Sequence, residues 1–202
     1  MLQVLILRGA LCYIDGIHLR NVLGYIIVSV YPLVVTMTIG AKNNNCGGNM
    51  GIIYDIIQWT WGLPQTLVGF IYYLLNIKQK HYYYHGSVVT IWKSKSSLSL
   101  GMFVFVSDDP FCYYDSFRET YSEEEFSNML LVHEYGHTIQ SLLFGPLYLL
   151  LVGVPSILWS FLPIFVQKRE MEKLSYFSVY PERWANSLGE WFTKETSIGE
   201  PV

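Results

Sequence analysis

Charge is what this sequence has least of. Of 202 residues only 14% are Asp, Glu, Lys or Arg, while 51% are hydrophobic, and the mean hydropathy is +0.29. Ordinary soluble domains carry about 25% charged residues, so the composition leans toward a membrane. The 13 basic residues form no stripe and the net charge is -3, which excludes the electrostatic footprint of a nucleic-acid partner. Cysteine is also scarce. Cys12, Cys46 and Cys112 are odd in number and far apart, so they make neither a CxxC metal knuckle nor a complete disulfide framework. Internal repeats and low-complexity tracts are lacking too, which sets aside solenoids and disordered linkers.

The few charges are unevenly spaced, and three long stretches contain none: 21–41, 56–77 and 145–166. Each is about the length that crosses a hydrocarbon core of ~30 Å. Pro32 and Pro64 would kink the first two without excluding a helix. Arg8 and Arg20 precede the first stretch, only Lys42 directly follows it, and Lys78, Lys80, Lys93 and Lys95 follow the second. Because Lys and Arg accumulate in cytoplasmic loops, this count predicts a helical pair with both ends cytoplasmic. Trp59, Trp61, Tyr72, Tyr73 and Tyr82 to Tyr84 crowd the ends of the second stretch, as interfacial aromatic belts do. Residues 1–85 are thus expected to form amino-terminal membrane helices, and residues 86–202 a second part.

That second part opens with two runs of strand character, 88–92 and 98–106, joined by a polar Lys and Ser turn; the pattern predicts a β-hairpin. Further on, Ser122 and Glu125 have the spacing of a capping box, and three consecutive glutamates suit the positive end of a helix. A helix should begin near Glu123. Phe126, Met129, Leu130, His133 and His137 recur at three- and four-residue steps along it, and Gly145-Pro146 supplies the stop near Phe144.

On this helix stands His133-Glu134-Tyr135-Gly136-His137. With 3.6 residues per turn the two histidines fall one above the other, so both imidazoles can reach one ion. Zinc accepts histidine nitrogen and carboxylate oxygen in tetrahedral geometry, and a catalytic site uses three protein ligands and keeps one position open. Glu134, beside the first ligand, suits a different role, that of taking a proton from metal-activated water and passing it to the leaving amine. Among the downstream acids Glu182 stands out, because Tyr-Pro-Glu182-Arg-Trp-Ala185-Asn186 reads as a short helix opened by Pro181.

HExGH followed by Glu182, Ala185 and Asn186 resembles the two motifs of gluzincins, zinc metallopeptidases in which a glutamate on a second helix completes the ligand set. Together with the hydrophobic segments before it, the arrangement looks like the integral-membrane gluzincins that include prenyl-protein and heat-shock membrane proteases. HEYGHTIQS with GPLYLLLVGVPS is also similar to a family of small bacterial membrane proteins. The resemblance implies His133, His137 and Glu182 as zinc ligands, Glu134 as catalytic base, and Asn186 orienting an imidazole where that group usually has Asp. It implies a fold that is mainly α with a small β-hairpin: a membrane-associated zincin-like core of metal helix plus hairpin, with amino-terminal transmembrane helices. The LDG-type motif of intramembrane site-2-type proteases is missing.

All three ligands must converge, so the stretch 145–166 cannot carry Glu182 to the far side of a membrane from the histidines. Either it is a re-entrant or interfacial hairpin bent at Gly153-Val154-Pro155, or the metal site lies at membrane depth; the flanking Lys168 and Arg169 favour the hairpin. The strand 98–106 is expected to be an exposed edge that holds peptide in extended form through its main chain. Tyr176 and Tyr180 are near Glu182 in sequence, and nothing further assigns them a role. The expectation is a multi-pass membrane peptidase with its metal site on the cytoplasmic side, acting on a peptide or protein substrate and in contact with lipid. The alternative is a zinc-stabilised membrane scaffold or accessory protein without turnover.

Overall fold

The computed structural model describes residues 49–198, and everything below concerns these; the first uncharged stretch, 21–41, lies outside the described residues. The chain is mostly helical with a small four-stranded mixed sheet. Helices α1 (Asn49–Thr60) and α2 (Leu63–Leu75) come first, then strands β1 (Lys80–Tyr84), β2 (Ser87–Trp92), β3 (Leu98–Leu100) and β4 (Phe103–Ser107). The long helix α3 (Glu123–Phe144) follows, then α4 (Val154–Phe161), α5 (Pro163–Glu172) and α6 (Tyr180–Thr193).

The expected hairpin of 88–92 with 98–106 is not formed. The sheet order is β1-β2-β4-β3, in which β2 pairs with β4 in parallel while β1 and β3 pair antiparallel with their neighbours. The second run breaks because Gly101, at φ +62°, opens a two-residue turn that folds Leu98–Leu100 back on Phe103–Ser107. The missed strand β1 joins β2 through His85 and Gly86, both at positive φ, the backbone that a tight primed turn demands. Of the run 98–106, therefore, only β3 is an edge strand, and β4 is central and fully buried.

Helix α3 begins as expected: Ser122 accepts from the Glu125 N–H while the Glu125 carboxylate accepts from the Ser122 N–H. It is buried on nearly every side from Met129 to Leu142, because β3 and β4, α6, and the pair α1–α2 all pack on it. A helix surrounded in this way needs no single apolar stripe, and its buried polar groups need partners instead. Those partners come from α1, α2 and the turn between them. Gln65 Nε2 donates to Ser141 Oγ (2.8 Å) and to the Gly145 carbonyl (3.0 Å), Ser141 Oγ donates to Gln58 Oε1 (3.2 Å), and Trp61 Nε1 donates to the Leu142 carbonyl (3.0 Å).

This packing corrects the reading of 56–77 as one spanning helix. The stretch is broken at Trp61-Gly62, where Pro64 starts α2, and the two halves turn Gln58, Gln65 and Thr66 inward. Among the described residues no single helix is long and apolar enough to cross a membrane; α3 and the helical stretch Leu149–Phe161 meet at 118°. The bend of 145–166 therefore falls at Gly145–Tyr148, not at Gly153-Val154-Pro155. Around Pro155 the chain stays helical by widening into one π-type turn, Leu149–Gly153. Pro155 has no N–H for the Leu151 carbonyl, and the Tyr180 hydroxyl donates to that carbonyl instead. A second break, at Leu162-Pro163, separates α4 from α5.

Candidate metal centre

Two helices build the site. His133 and His137 lie one turn apart on α3 with ring centroids 4.9 Å apart. Glu182 stands in the first turn of α6, where Pro181 starts the helix and the N-terminal dipole favours a carboxylate. The two helices approach closely because small residues meet at the crossing. A Cβ placed on Gly136 would lie 1.9 Å from the Ala185 carbonyl oxygen, and one placed on Gly189 would lie 2.1 Å from that of Val132.

The structure brings all the expected site residues together. Glu182 Oε2 lies 3.1 Å from His133 Nε2 and 3.4 Å from His137 Nε2. One ligand atom from each of the three lies within 4.8 Å of the others, so the group could hold a metal ion. Donors about 2.0–2.2 Å from a tetrahedral ion stand about 3.3 Å apart, and the two distances to Glu182 match that spacing. Glu182 Oε1 is buried with no hydrogen-bond partner, an unmet acceptor that a cation would satisfy. The site is deeply set, with exposures of 3% for His133, 6% for Glu134, 7% for His137 and 1% for Glu182.

Both imidazoles are held from behind. His133 Nδ1 meets Asn186 Oδ1 at 2.6 Å, and Asn186 Nδ2 donates to the Ile198 carbonyl at 2.7 Å. The amide nitrogen is thus occupied, its oxygen faces the ring, and Nδ1 carries the proton, which leaves the Nε2 lone pair for an ion. Asn186, one turn beyond Glu182, thus contacts the first imidazole. His137 has an equivalent partner that sequence reasoning missed, Gln140, whose Oε1 lies 2.7 Å from Nδ1. Its signal was its place three residues after His137 on the same helix face.

A second missed residue is Ser99 on the edge strand. Its hydroxyl lies 2.8 Å from Glu134 Oε2 and 2.7 Å from the Glu134 carbonyl oxygen, so β3 holds the carboxylate beside the histidines without making it a ligand. Tyr148, in the bend after α3, donates its hydroxyl to the Ser99 carbonyl at 3.4 Å. Tyr176 and Tyr180 engage other partners: the Tyr176 hydroxyl meets Ser156 and Ser160, and that of Tyr180 the Leu151 carbonyl.

Burial pushes the Glu134 carboxyl above its ordinary range, although the two histidines and the Ser99 hydroxyl act against it. Such a carboxylate is a stronger base than an exposed one. Glu182 goes the other way: burial would raise it, but the imidazoles of His137 and His133 hold it well below the usual carboxylate range. For His137, burial would lower the pKa, but the Glu182 carboxylate overrides this and lifts it to about 9. Carboxylate and imidazole thus each favour the charged form of the other.

This has a sign that can be measured. The raised His137 stabilises the metal-free fold below about pH 6.5, its ordinary value, and that stabilisation is lost as pH rises through about 9. The depressed Glu182 contributes above the ordinary carboxylate range and is lost as pH falls through its lowered pKa. A divalent ion would have to displace the imidazolium proton, so its affinity should climb about tenfold per pH unit between pH 7 and 9 and then flatten. Competition against a chromophoric chelator across that range checks it; a flat profile would mean that His137 is already neutral at pH 7.

No protein-family model, no curated protein and no solved structure matches this chain.

Proposed function

We propose that this chain is a membrane-associated zinc peptidase of gluzincin type, which hydrolyses a peptide bond. The observation that carries the reading is the division of labour among four buried residues. His133, His137 and Glu182 converge through one atom each, while Glu134, adjacent in sequence, is turned to Ser99 and kept out of the ligand set. A purely structural zinc site prefers a fourth protein ligand and has no use for a retained base.

Zinc held by these three residues would polarise the scissile carbonyl and make water nucleophilic at neutral pH. The rest is done by the chain itself. Glu134 takes the proton from the attacking water, holds it against Ser99, and passes it to the departing amine. Asn186 and Gln140 keep both imidazoles oriented. Strand β3 supplies the outward Ser99 carbonyl, the kind of main-chain group that aligns an extended peptide once Tyr148 gives it up.

Contact with lipid is supported by exposed apolar side chains. Leu150, Val154, Ile157, Phe161 and Ile164 are all exposed in the stretch 145–166, which holds no Asp, Glu, Lys or Arg, and Leu67, Ile71 and Leu75 are exposed on α2. Lys168, exposed, follows at the end of that stretch, where headgroups would meet it. These exposed apolar side chains favour a protein held at a membrane, and the Lys and Arg that flank the uncharged stretches favour the cytoplasmic side for its metal site.

The second reading, a zinc-stabilised scaffold without turnover, is favoured by the near-complete burial of the centre. The first test is metal content of the detergent-purified protein, for the unaltered chain and for Glu182→Ala and His137→Ala. About one zinc per chain, lost or weakened in both variants, is expected. A chain that takes up no metal after reconstitution would end both readings.

A further inference from the structure

Gln140 is completely buried and uses both ends of its amide. Its Oε1 meets His137 Nδ1 at 2.7 Å, and its Nε2 donates to the carbonyl of Pro181 at 2.8 Å. Pro181 immediately precedes Glu182, so one side chain spans from the second histidine to the helix start that presents the third ligand. A buried glutamine with its nitrogen committed to a carbonyl cannot turn that nitrogen toward the ring, so the oxygen faces His137 and Nδ1 must carry the proton. Asn186 imposes the same state on His133 from the other helix, through its own bond to the Ile198 carbonyl. Both histidines are thus set by neutral amides anchored on main-chain carbonyls.

We infer that Gln140 is a positioning residue of the metal centre: it fixes the tautomer and ring orientation of His137 and ties that ring to the helix start carrying Glu182. This rests on the zinc reading above and concerns the affinity of the site, separately from any turnover. Residues that orient a metal-bound imidazole typically contribute about 10–100-fold in metal affinity. Gln140→Met fills the same volume with at most the weak acceptor of a thioether and leaves the Nδ1 proton without an oxygen partner. Gln140→Glu restores an oxygen opposite Nδ1, and as the neutral acid it can still donate to the Pro181 carbonyl.

The test is zinc affinity by chelator competition for the unaltered chain and the two variants. Alongside it, the exchangeable imidazole N–H resonances of the cobalt-substituted proteins are recorded. The expected result is binding about 10–100-fold weaker for Gln140→Met, with one of the two N–H resonances lost to solvent exchange. Gln140→Glu should bind within about threefold of the unaltered chain and keep both resonances. A Gln140→Met protein that binds zinc as tightly as the unaltered chain and keeps both resonances would overturn the inference. So would a Gln140→Glu protein as weak as Gln140→Met, because an oxygen restored opposite Nδ1 would then restore nothing. If Gln140→Met does not fold, Gln140→Glu decides alone, with retained affinity and both resonances supporting the assignment and a loss beyond about tenfold overturning it. An unaltered chain that binds no zinc removes this inference together with the function proposed above; normal binding with unaffected variants removes this inference only.

Discussion

Glu134→Gln should leave zinc content unchanged while peptide hydrolysis falls by at least about 10²–10⁴-fold, the usual contribution of a positioned general base. The substitution is nearly isosteric and Glu134 is not among the three converging ligands, so the ion site keeps its donors. What is lost is the ability to take a proton. The buried Glu134 carboxyl has its pKa raised by desolvation, and Ser99 holds it in place with a 2.8 Å hydrogen bond; the amide of Gln can accept that same bond, so the geometry survives while the chemistry does not. Ser99 itself faces two oxygens, the carboxylate and the Glu134 carbonyl. With both within reach, its hydroxyl can stay hydrogen-bonded whichever state the carboxyl is in. The measurement is cleavage of a denatured protein or peptide library by zinc-loaded protein in detergent or vesicles, with zinc content determined on the same samples. Equal cleavage by Glu134→Gln and the unaltered chain would show that the hydrolysis comes from a contaminant or from other residues. Zinc bound by both, with cleavage by neither, would favour the scaffold.

The parts of this site that were legible in the sequence are those set by local geometry. Two histidines four residues apart on a capped helix fall on one face, and Ser122 with Glu125 placed the start of that helix at Glu123. Glu182 was readable on a helix opened by Pro181, and its role and that of Asn186 only through the resemblance to the second gluzincin motif. Ser99 could not be read, because its contact with Glu134 crosses 35 positions and depends on how the sheet is laid over α3. Gln140 was hidden differently: its nearness to His137 is local, but its second partner, the Pro181 carbonyl, is 41 residues away. The sheet was misread for a related reason. Alternation and β-branching reveal strands but not which strand lies beside which, and a parallel pair such as β2 with β4 leaves no turn to read. In the stretch 56–77 the absence of charge outweighed Gln58 and Gln65, whose amides would be costly in lipid. Here they satisfy the back of the metal helix, and the packing they serve is non-local.

Gly136→Ala should cost the protein both stability and metal, although alanine is the better helix former by about 1 kcal/mol. The reason is the helix crossing. The added Cβ would sit 1.9 Å from the Ala185 carbonyl oxygen and 2.6 Å from the Ala185 carbonyl carbon. These are main-chain atoms of α6 that cannot rotate away, so the helices must separate. Ordinary contact between such atoms needs more than about 3 Å, so the displacement is on the order of 1 Å. Over-packing of this severity costs about 3 kcal/mol, which corresponds to a fall in Tm of about 6–12 °C for a chain of this size. The same shift acts on the site, because Ala185 lies one turn beyond Glu182. Moving α6 outward draws the carboxylate from its present 3.1 Å and 3.4 Å to the two Nε2 atoms, and a three-donor set cannot close on one ion once that spacing is lost. Zinc affinity should fall by more than about tenfold, on a scale where even a misoriented ligand costs that much. Gly189→Ala, whose Cβ would meet the Val132 carbonyl oxygen at 2.1 Å one turn further along α6, should be comparably destabilising but farther from Glu182. The ratio of zinc loss to Tm loss should therefore be larger for Gly136→Ala than for Gly189→Ala. Thermal denaturation of both variants with and without zinc reads the ratio directly: a zinc-dependent rise in Tm that survives in Gly189→Ala and disappears in Gly136→Ala would locate the control of metal affinity at this crossing. Equal loss in the two would mean that separation of the helices anywhere along α6 is enough to open the site.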